Sequence, residues 1–216
     1  MTLDELVAGF RKVATASVAD AVDQVAGKTG FLDQAIKPRI NEKKICGPAV
    51  TILEGPTQEF VPPQHALDAI DEADAGSVIV ISVADGSDVA VWGGLMTAGA
   101  VANKHEAAVL NGGVRDIVEI KRDYDFPVYS RTVSPGTTLG RIKTIAANVE
   151  LPIGDVIINP GDIIVGDVDG VVVVPRQHAE EILAMSQEID VREAEQAKLI
   201  IESGSLREGL AKYGRI

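Results

Sequence analysis

Cysteine is almost absent from this chain: Cys46 is the only one. That excludes an intramolecular disulfide and any thiolate metal cluster built within one chain, and it fits a reducing, cytoplasmic setting. Cys46 itself stands in the apolar run Ile45-Cys46-Gly47-Pro48-Ala49-Val50 and reads as a small buried hydrophobe. Basic residues are also scarce, since 20 Lys and Arg face 32 Asp and Glu for a formal charge of -12. A surface of that sign repels polyanions, so neither nucleic acid nor an anionic membrane is an expected partner. No apolar run approaches the ~18 residues of a spanning helix, and the start MTLDELVAGFRK lacks the basic and apolar regions of a leader peptide. The chain is therefore read as neither exported nor membrane-spanning.

Several catalytic signatures are missing too. His65, His105 and His178 are dispersed and form no HxH, HExxH or HxxxH pair, which leaves a histidine zinc site without support. There is no GxGxxG spacing and no Gly-Lys-Ser/Thr phosphate loop. Without a GxSxG elbow, Ser134-Pro135-Gly136 reads as a turn. The carboxylates Asp68, Asp71, Glu72 and Asp74 most simply form a solvated helix face.

What is present is aliphatic. The 216 residues are 46% hydrophobic but only 4% aromatic, enough for one sizeable core of Val, Ile, Leu and Ala. No repeat or linker interrupts them, so one domain over 1–216 is expected, with 178–216 as a C-terminal helical extension. Leu3 to Val13 and Ser17 to Val25 have helical spacing, the second with Ser17 and Asp20 placed as a capping box. Ile45 to Leu53 reads as a strand, Gly55 to Pro63 as a loop and His65 to Ala73 as a helix. Ser77 to Val83 is too continuously apolar for a one-sided sheet and reads as a strand covered on both faces. Trp92 to Lys104 follows as a helix and Ala107 to Leu110 as a strand closed by Asn111-Gly112-Gly113. Arg115 to Arg122 is a further helix, and Pro127 to Ser130 is again extended. Such alternation predicts an α/β fold with a parallel sheet and helical crossovers, whose ligand site lies where loops leave the carboxyl ends of strands. Beyond Asn148 come short strands, a hairpin signal at Asp169-Gly170 and a long helix from His178 to Ser203 that stops at Gly204.

The stretch richest in chemistry is Asn111-Gly112-Gly113-Val114-Arg115-Asp116, at such a strand exit. Glycines permit close backbone approach, and an Arg beside an Asp offers an anion clamp next to a hard-cation ligand. Trp92-Gly93-Gly94-Leu95-Met96 opens the preceding helix with amides suited to an acidic group.

Together these pieces resemble a known family. Thr15-Ala16-Ser17-Val18-Ala19-Asp20-Ala21, Ile45 to Thr51, Trp92-Gly93-Gly94-Leu95, Asn111 to Asp116, Pro160-Gly161-Asp162 and Asp167 to Val171 resemble the family of 4-hydroxy-4-methyl-2-oxoglutarate aldolase and the regulator of ribonuclease E activity A. The resemblance implies a swivelling β/β/α domain assembled as trimers or dimers of trimers, with the active site between subunits. It implies Mg2+ or Mn2+ held by Asp116, an oxo group bound by Arg115, and a substrate carboxylate held by amides of the Gly93, Gly94, Leu95 and Met96 turn. A Glu of the neighbour's C-terminal helix, Glu193 or Glu195, would reach the metal through water.

The implied substrate is a small 4-hydroxy-2-oxo acid, such as 4-hydroxy-4-methyl-2-oxoglutarate or 4-carboxy-4-hydroxy-2-oxoadipate. Pyruvate is the implied product and oxaloacetate decarboxylation a side activity, since both reactions pass through the same enolate. The chain departs from the family at Gly94, where the aldolases carry a carboxylate; Asp85, at the end of the preceding strand, is the candidate to substitute for part of its role. Two other readings compete: a non-catalytic regulator that binds a ribonuclease, and a transferase or dehydratase on the same scaffold. The regulator type lacks the Glu-bearing segment Val191 to Gly204 that this chain retains.

Overall fold

The computed structural model describes residues 1–84 and 89–215. Asp85 and the Asp85-Gly86 strand exit lie outside them. The chain begins with α1 (Leu3–Phe10) and α2 (Thr15–Ala26), then β1 (Lys37–Pro38) and the long β2 (Ile45–Pro56). The crossover units follow: α3 (Gln64–Glu72), β3 (Val78–Val83), β4 (Ala90–Trp92), α4 (Gly94–Ala102), β5 (Ala107–Val114), α5 (Ile117–Asp123) and β6 (Val128–Val133). Then come β7 (Ile142–Ala147), β8 (Leu151–Ile153), β9 (Val156–Ile158), β10 (Ile163–Asp167), β11 (Gly170–Val174), α6 (Ala179–Ser203) and α7 (Leu206–Tyr213).

As the alternation predicts, β2, β3, β5 and β6 are parallel neighbours. They form the centre of a 9-stranded sheet ordered β1-β6-β5-β3-β2-β10-β11, with β4 beside β5 and β7 beside β2. The sheet nearly closes on itself. The segment that pairs β1 with β6 also touches the far edge, where the Leu32 amide donates to Val171 and the Val173 amide donates to Gly30. Closure hides backbone edges that would otherwise invite pairing with other chains.

Three aliphatic clusters hold these layers together. Ile52, Ile79, Ile81 and Leu110 pack under α3 and α4 with Trp92, whose ring stacks on Phe126 at 6.2 Å. Ile45, Val78, Val80 and Val109 fill the opposite face, and β10 and β11 carry the third cluster against α1, α2 and α6. Alternation along β3 thus sends its side chains to both faces, which accounts for a strand buried at every position.

Several local expectations shift. Helix α2 begins at Thr15 with Ala14 as its cap, and Ser17 lies within the helix, its buried Oγ without a partner among the described residues. The capping box belongs to α1, where Thr2 and Glu5 exchange hydrogen bonds. Trp92 ends a strand instead of starting a helix. Asn111-Gly112-Gly113 are not a turn: β5 runs through them to Val114, and α5 starts only at Ile117. The β10–β11 turn is Val168-Asp169, one residue earlier than its sequence signal, because Gly170 already pairs with Asp167. Helix α6 ends at Gly204 in the left-handed region (φ 67), as expected, but α7 then continues the chain.

Candidate active site

Packing against β4 accounts for the glycines of β5. A Cβ on Gly113 would come within 2.7 Å of the Val89 carbonyl oxygen, and one on Gly112 within 3.1 Å of Val91. Glycine here lets the short β4 lie tight against β5, and the Gly113 amide donates to Val89 at 3.1 Å. That close approach delivers two backbone ends to one place. Trp92 leads into the N-terminus of α4, and Val114 leads into Arg115 and Asp116.

Asp116 has φ 59, a left-handed conformation that Asp and Asn tolerate better than other side chains. The turn carries its carboxylate back to α4, where Oδ2 accepts the Gly94 amide at 2.9 Å. Arg115 Nε lies 3.8 Å from the same oxygen, and both side chains are 43% exposed. Thr97 closes the first turn of α4, its amide donating to the Gly93 carbonyl at 3.0 Å and its hydroxyl receiving the Trp92 indole N–H at 2.8 Å. The amides of Leu95 and Met96 then point out of the helix start, where a positive partial charge favours an anion.

The α4 turn and Arg115 border a cavity of 260 Å³, and Asp116 adjoins it through its hydrogen bond to Gly94. Gly93, Gly94, Leu95, Met96 and Arg115 form one side of it; Pro62, Pro63, Leu67, Thr137, Thr138 and Leu139 form the other. It stands at the carboxyl ends of the parallel strands. The six sequence-derived positions at Gly93 to Met96, Arg115 and Asp116 therefore come together. The distal wall was not read from the sequence, since Thr137 to Leu139 sit in a loop distant along the chain and carry no motif.

Gly93 is fixed by the side chains of Arg115 and Asp116. A Cβ there would lie 2.8 Å from Asp116 Oδ2 and 3.2 Å from Arg115 Nε, whereas one on Gly94 would meet Asp116 Oδ2 only at 3.5 Å. Gly93→Ala is therefore expected to push Asp116 off the Gly94 amide and to lower kcat/KM by at least about tenfold with the fold retained, because sub-ångström misplacement at a site is costly. Unchanged kinetics would show that Asp116 does not need this position.

Glu193 and Glu195 stand elsewhere in the same chain. Glu193 lies 3.8 Å from Arg215, which also pairs with Asp20, and Glu195 Oε2 is 3.5 Å from the Tyr213 hydroxyl. No residue of α6 borders the cavity. Among the described residues no three His, Cys, Asp or Glu side chains converge as a metal cage. The donor set nevertheless suits a hard cation such as Mg2+, which retains several waters and needs only one or two protein carboxylates. Asp116 is a half-exposed carboxylate whose Oδ2 is already oriented by a backbone amide.

One titratable group went unnoticed in the sequence. Glu54 continues β2 beyond its expected end, is 0% exposed, and neither carboxyl oxygen has a partner among the described residues. Burial pushes its pKa up to about 8.

Comparison with known proteins fits this geometry. The model of the family described as RraA-like, aldolase/RraA, matches residues 15–173. The chain belongs to the RraA-like family. It is 34% identical over 208 residues to the protein DlpA of Legionella pneumophila, covering 96% of this chain but only 33% of DlpA. A Halalkalibacterium halodurans protein, provisionally named as a 4-hydroxy-4-methyl-2-oxoglutarate aldolase, is 32% identical over 182 residues, 83% of this chain and 80% of that one. The crystal structure of Streptomyces coelicolor RraAS2, an unusual member of the RNase ES inhibitor RraA family, superposes with a TM-score of 0.81 at 25% identity over 90% of this chain and 97% of that one. The RraA-like fold is thus this chain's fold, with its nearly closed sheet and C-terminal helix. No helix among the described residues is long and apolar enough to cross a membrane.

Proposed function

We propose that this RraA-like chain is a carbon–carbon lyase, a divalent-metal-dependent pyruvate aldolase that cleaves a 4-hydroxy-2-oxo acid. The observation that carries the reading is that Arg115 and the open N-terminus of α4 line one small cavity, with Asp116 hydrogen-bonded to that N-terminus beside them. The Leu95 and Met96 amides hold the substrate carboxylate, and Arg115 binds the 2-oxo oxygen. As the C3–C4 bond breaks, the 4-hydroxyl passes its proton to a water molecule in the site, an aldehyde or ketone departs and negative charge collects on that oxo oxygen. A guanidinium already in place stabilises this charge without reorganising. Protonation of C3 then gives pyruvate. Mg2+ or Mn2+, held by Asp116, would act as a Lewis acid toward the same oxo acid and lower the pKa of bound water.

Oxaloacetate decarboxylation generates the same enolate and is the expected side activity. Assembly as a trimer or dimer of trimers would let Glu193 or Glu195 of one chain face Asp116 of another. This reading is supported by the fact that neither Glu lines the cavity of its own chain and by the exposed apolar side chains Val191, Ile201 and Leu206 nearby.

The test is pyruvate release from 4-hydroxy-2-oxo acids and oxaloacetate with Mg2+ or Mn2+, with and without EDTA, for the parent and Arg115→Lys. The parent should turn over only with metal. The Lys variant should lose at least about tenfold in kcat/KM, since one ammonium cannot reproduce a planar fork. No turnover on any such acid, together with tight binding to a ribonuclease, would favour the regulator reading suggested by the likeness to RraAS2.

A further inference from the structure

The two sides of the cavity differ in polarity. Among the described residues Arg115 is the only charged side chain that lines it. The wall facing the α4 turn is Pro62, Pro63, Leu67 and Leu139, relieved only by the hydroxyls of Thr137 and Thr138. Two cations close to that wall are committed elsewhere. Arg141 Nη1 donates to the carbonyls of Thr137 at 3.1 Å and Leu139 at 3.4 Å, and Lys143 pairs with Glu59 at 3.3 Å. The rim continues the apolar character, with Leu95 91% exposed and the 82% exposed Phe60 lying against Gly140 beside Leu139.

We infer that the aldol substrate has an uncharged, alkyl-like group on C4 and a single carboxylate, the one attached to the oxo carbon; oxaloacetate, whose second carboxylate departs as carbon dioxide, stays a side substrate. The inference rests on the 2-oxo acid reading of the site and narrows it, turning away from the carboxylated examples that the resemblance suggests. The physical reason is desolvation. Arg115 and the α4 amides form one anion subsite, and they are used by the pyruvyl half. A second carboxylate at the far end would be stripped of water against proline and leucine with no cation to receive it, and two hydroxyls do not replace a hydration shell. The net charge of -12 further disfavours a dianion over a monoanion. An alkyl group at the same place gains by leaving water. The small cavity volume, near the lower end for ligand sites, fits an acid of few carbons.

Binding and turnover test this separately. Calorimetry with the metal-loaded oligomer compares 2-oxopentanoate with 2-oxoglutarate, which differ only in a terminal methyl against a carboxylate. The first should bind at least about tenfold more tightly, since an unpaired carboxylate pays for its lost water. Cleavage should follow the same order: 4-hydroxy-2-oxopentanoate, giving acetaldehyde and pyruvate, should have a kcat/KM at least about tenfold above that of 4-hydroxy-2-oxoglutarate, which gives glyoxylate and pyruvate. Leu67→Arg, at a position 37% exposed, should improve 2-oxoglutarate binding and narrow the gap. Equal or reversed preference in the parent, as would follow if a neighbouring subunit brought a cation to this wall, overturns the inference while leaving the aldolase reading intact. An unchanged ratio in Leu67→Arg also overturns it, by placing the tail elsewhere. If the monoacid binds tenfold better but neither hydroxy acid is cleaved, the aldolase reading fails and the ligand class stands. If neither oxo acid binds, both fail together.

Discussion

Asp116→Asn should abolish metal-stimulated pyruvate release while leaving the fold and assembly in place. Losing a Lewis-acid contribution of several kcal/mol corresponds to a fall in kcat on the order of a thousandfold. Asparagine is the informative substitution because of the backbone. At φ 59 an alanine would add strain and remove the acceptor for the Gly94 amide, a cap whose loss costs about 1 kcal/mol. Asn keeps an oxygen for that amide and tolerates the left-handed conformation, so what it removes is chiefly the charge that holds the cation. Binding of Mn2+, followed by its effect on water proton relaxation, should weaken in parallel, whereas the thermal midpoint should move little. Full activity at the parent's metal requirement would sink the assignment of Asp116.

The sequence made the parallel sheet and the site's two halves legible for different reasons. The sheet could be read because SVIVISV admits no polar face and because apolar runs of strand length alternate with helical ones. The candidate site's residues could be picked out because Arg115 and Asp116 are adjacent and Gly93-Gly94 opens a helix, so these groups are local in the chain. What could not be read depended on contacts between distant segments. Gly112 and Gly113 looked like a turn because glycine pairs usually mark one, yet here they admit β4 against β5, and β4 is too short to announce itself. The distal wall is contributed by Thr137 to Leu139, which reach the cavity through a bridge between Ala90 and Thr137 that no local pattern encodes. Glu54 was missed because a glutamate before Gly55-Pro56 ordinarily ends a strand, whereas β7 pairs with β2 there and extends it through Pro56.

That buried glutamate supports the other large expectation, a dependence of stability on alkaline pH. Glu54 lies beside Val83 of β3 and Thr144 of β7. By alternation it faces the same side as Ile52, Ile81 and Val83, the side covered by Ala66 and Ile70 of α3. Desolvation favours its neutral form, so the folded protein holds this proton up to about 8, whereas an unfolded chain releases it near 4.5. The stability associated with the protonated carboxyl is complete below 4.5, declines as pH rises and is gone above about 8. At roughly 1.4 kcal/mol per pH unit, the loss is on the order of 5 kcal/mol. Glu54→Gln cannot ionise, so denaturant titrations at pH 5 and pH 9 should show the parent losing several kcal/mol more than the variant across that interval. Equal losses would mean that Glu54 finds a partner or water in the native oligomer. The loosening should show in α3, whose Ala66 and Ile70 cover this side and whose start is tethered to β7 by a 3.2 Å hydrogen bond from the His65 amide to Thr144 Oγ1. Pro62, Pro63 and Leu67 flank that start and line the cavity. Amide exchange in α3, corrected for the intrinsic rise with pH, should therefore accelerate between pH 6 and pH 9 in the parent and stay level in Glu54→Gln, linking the ionisation of one core carboxyl to the wall that contacts the substrate tail.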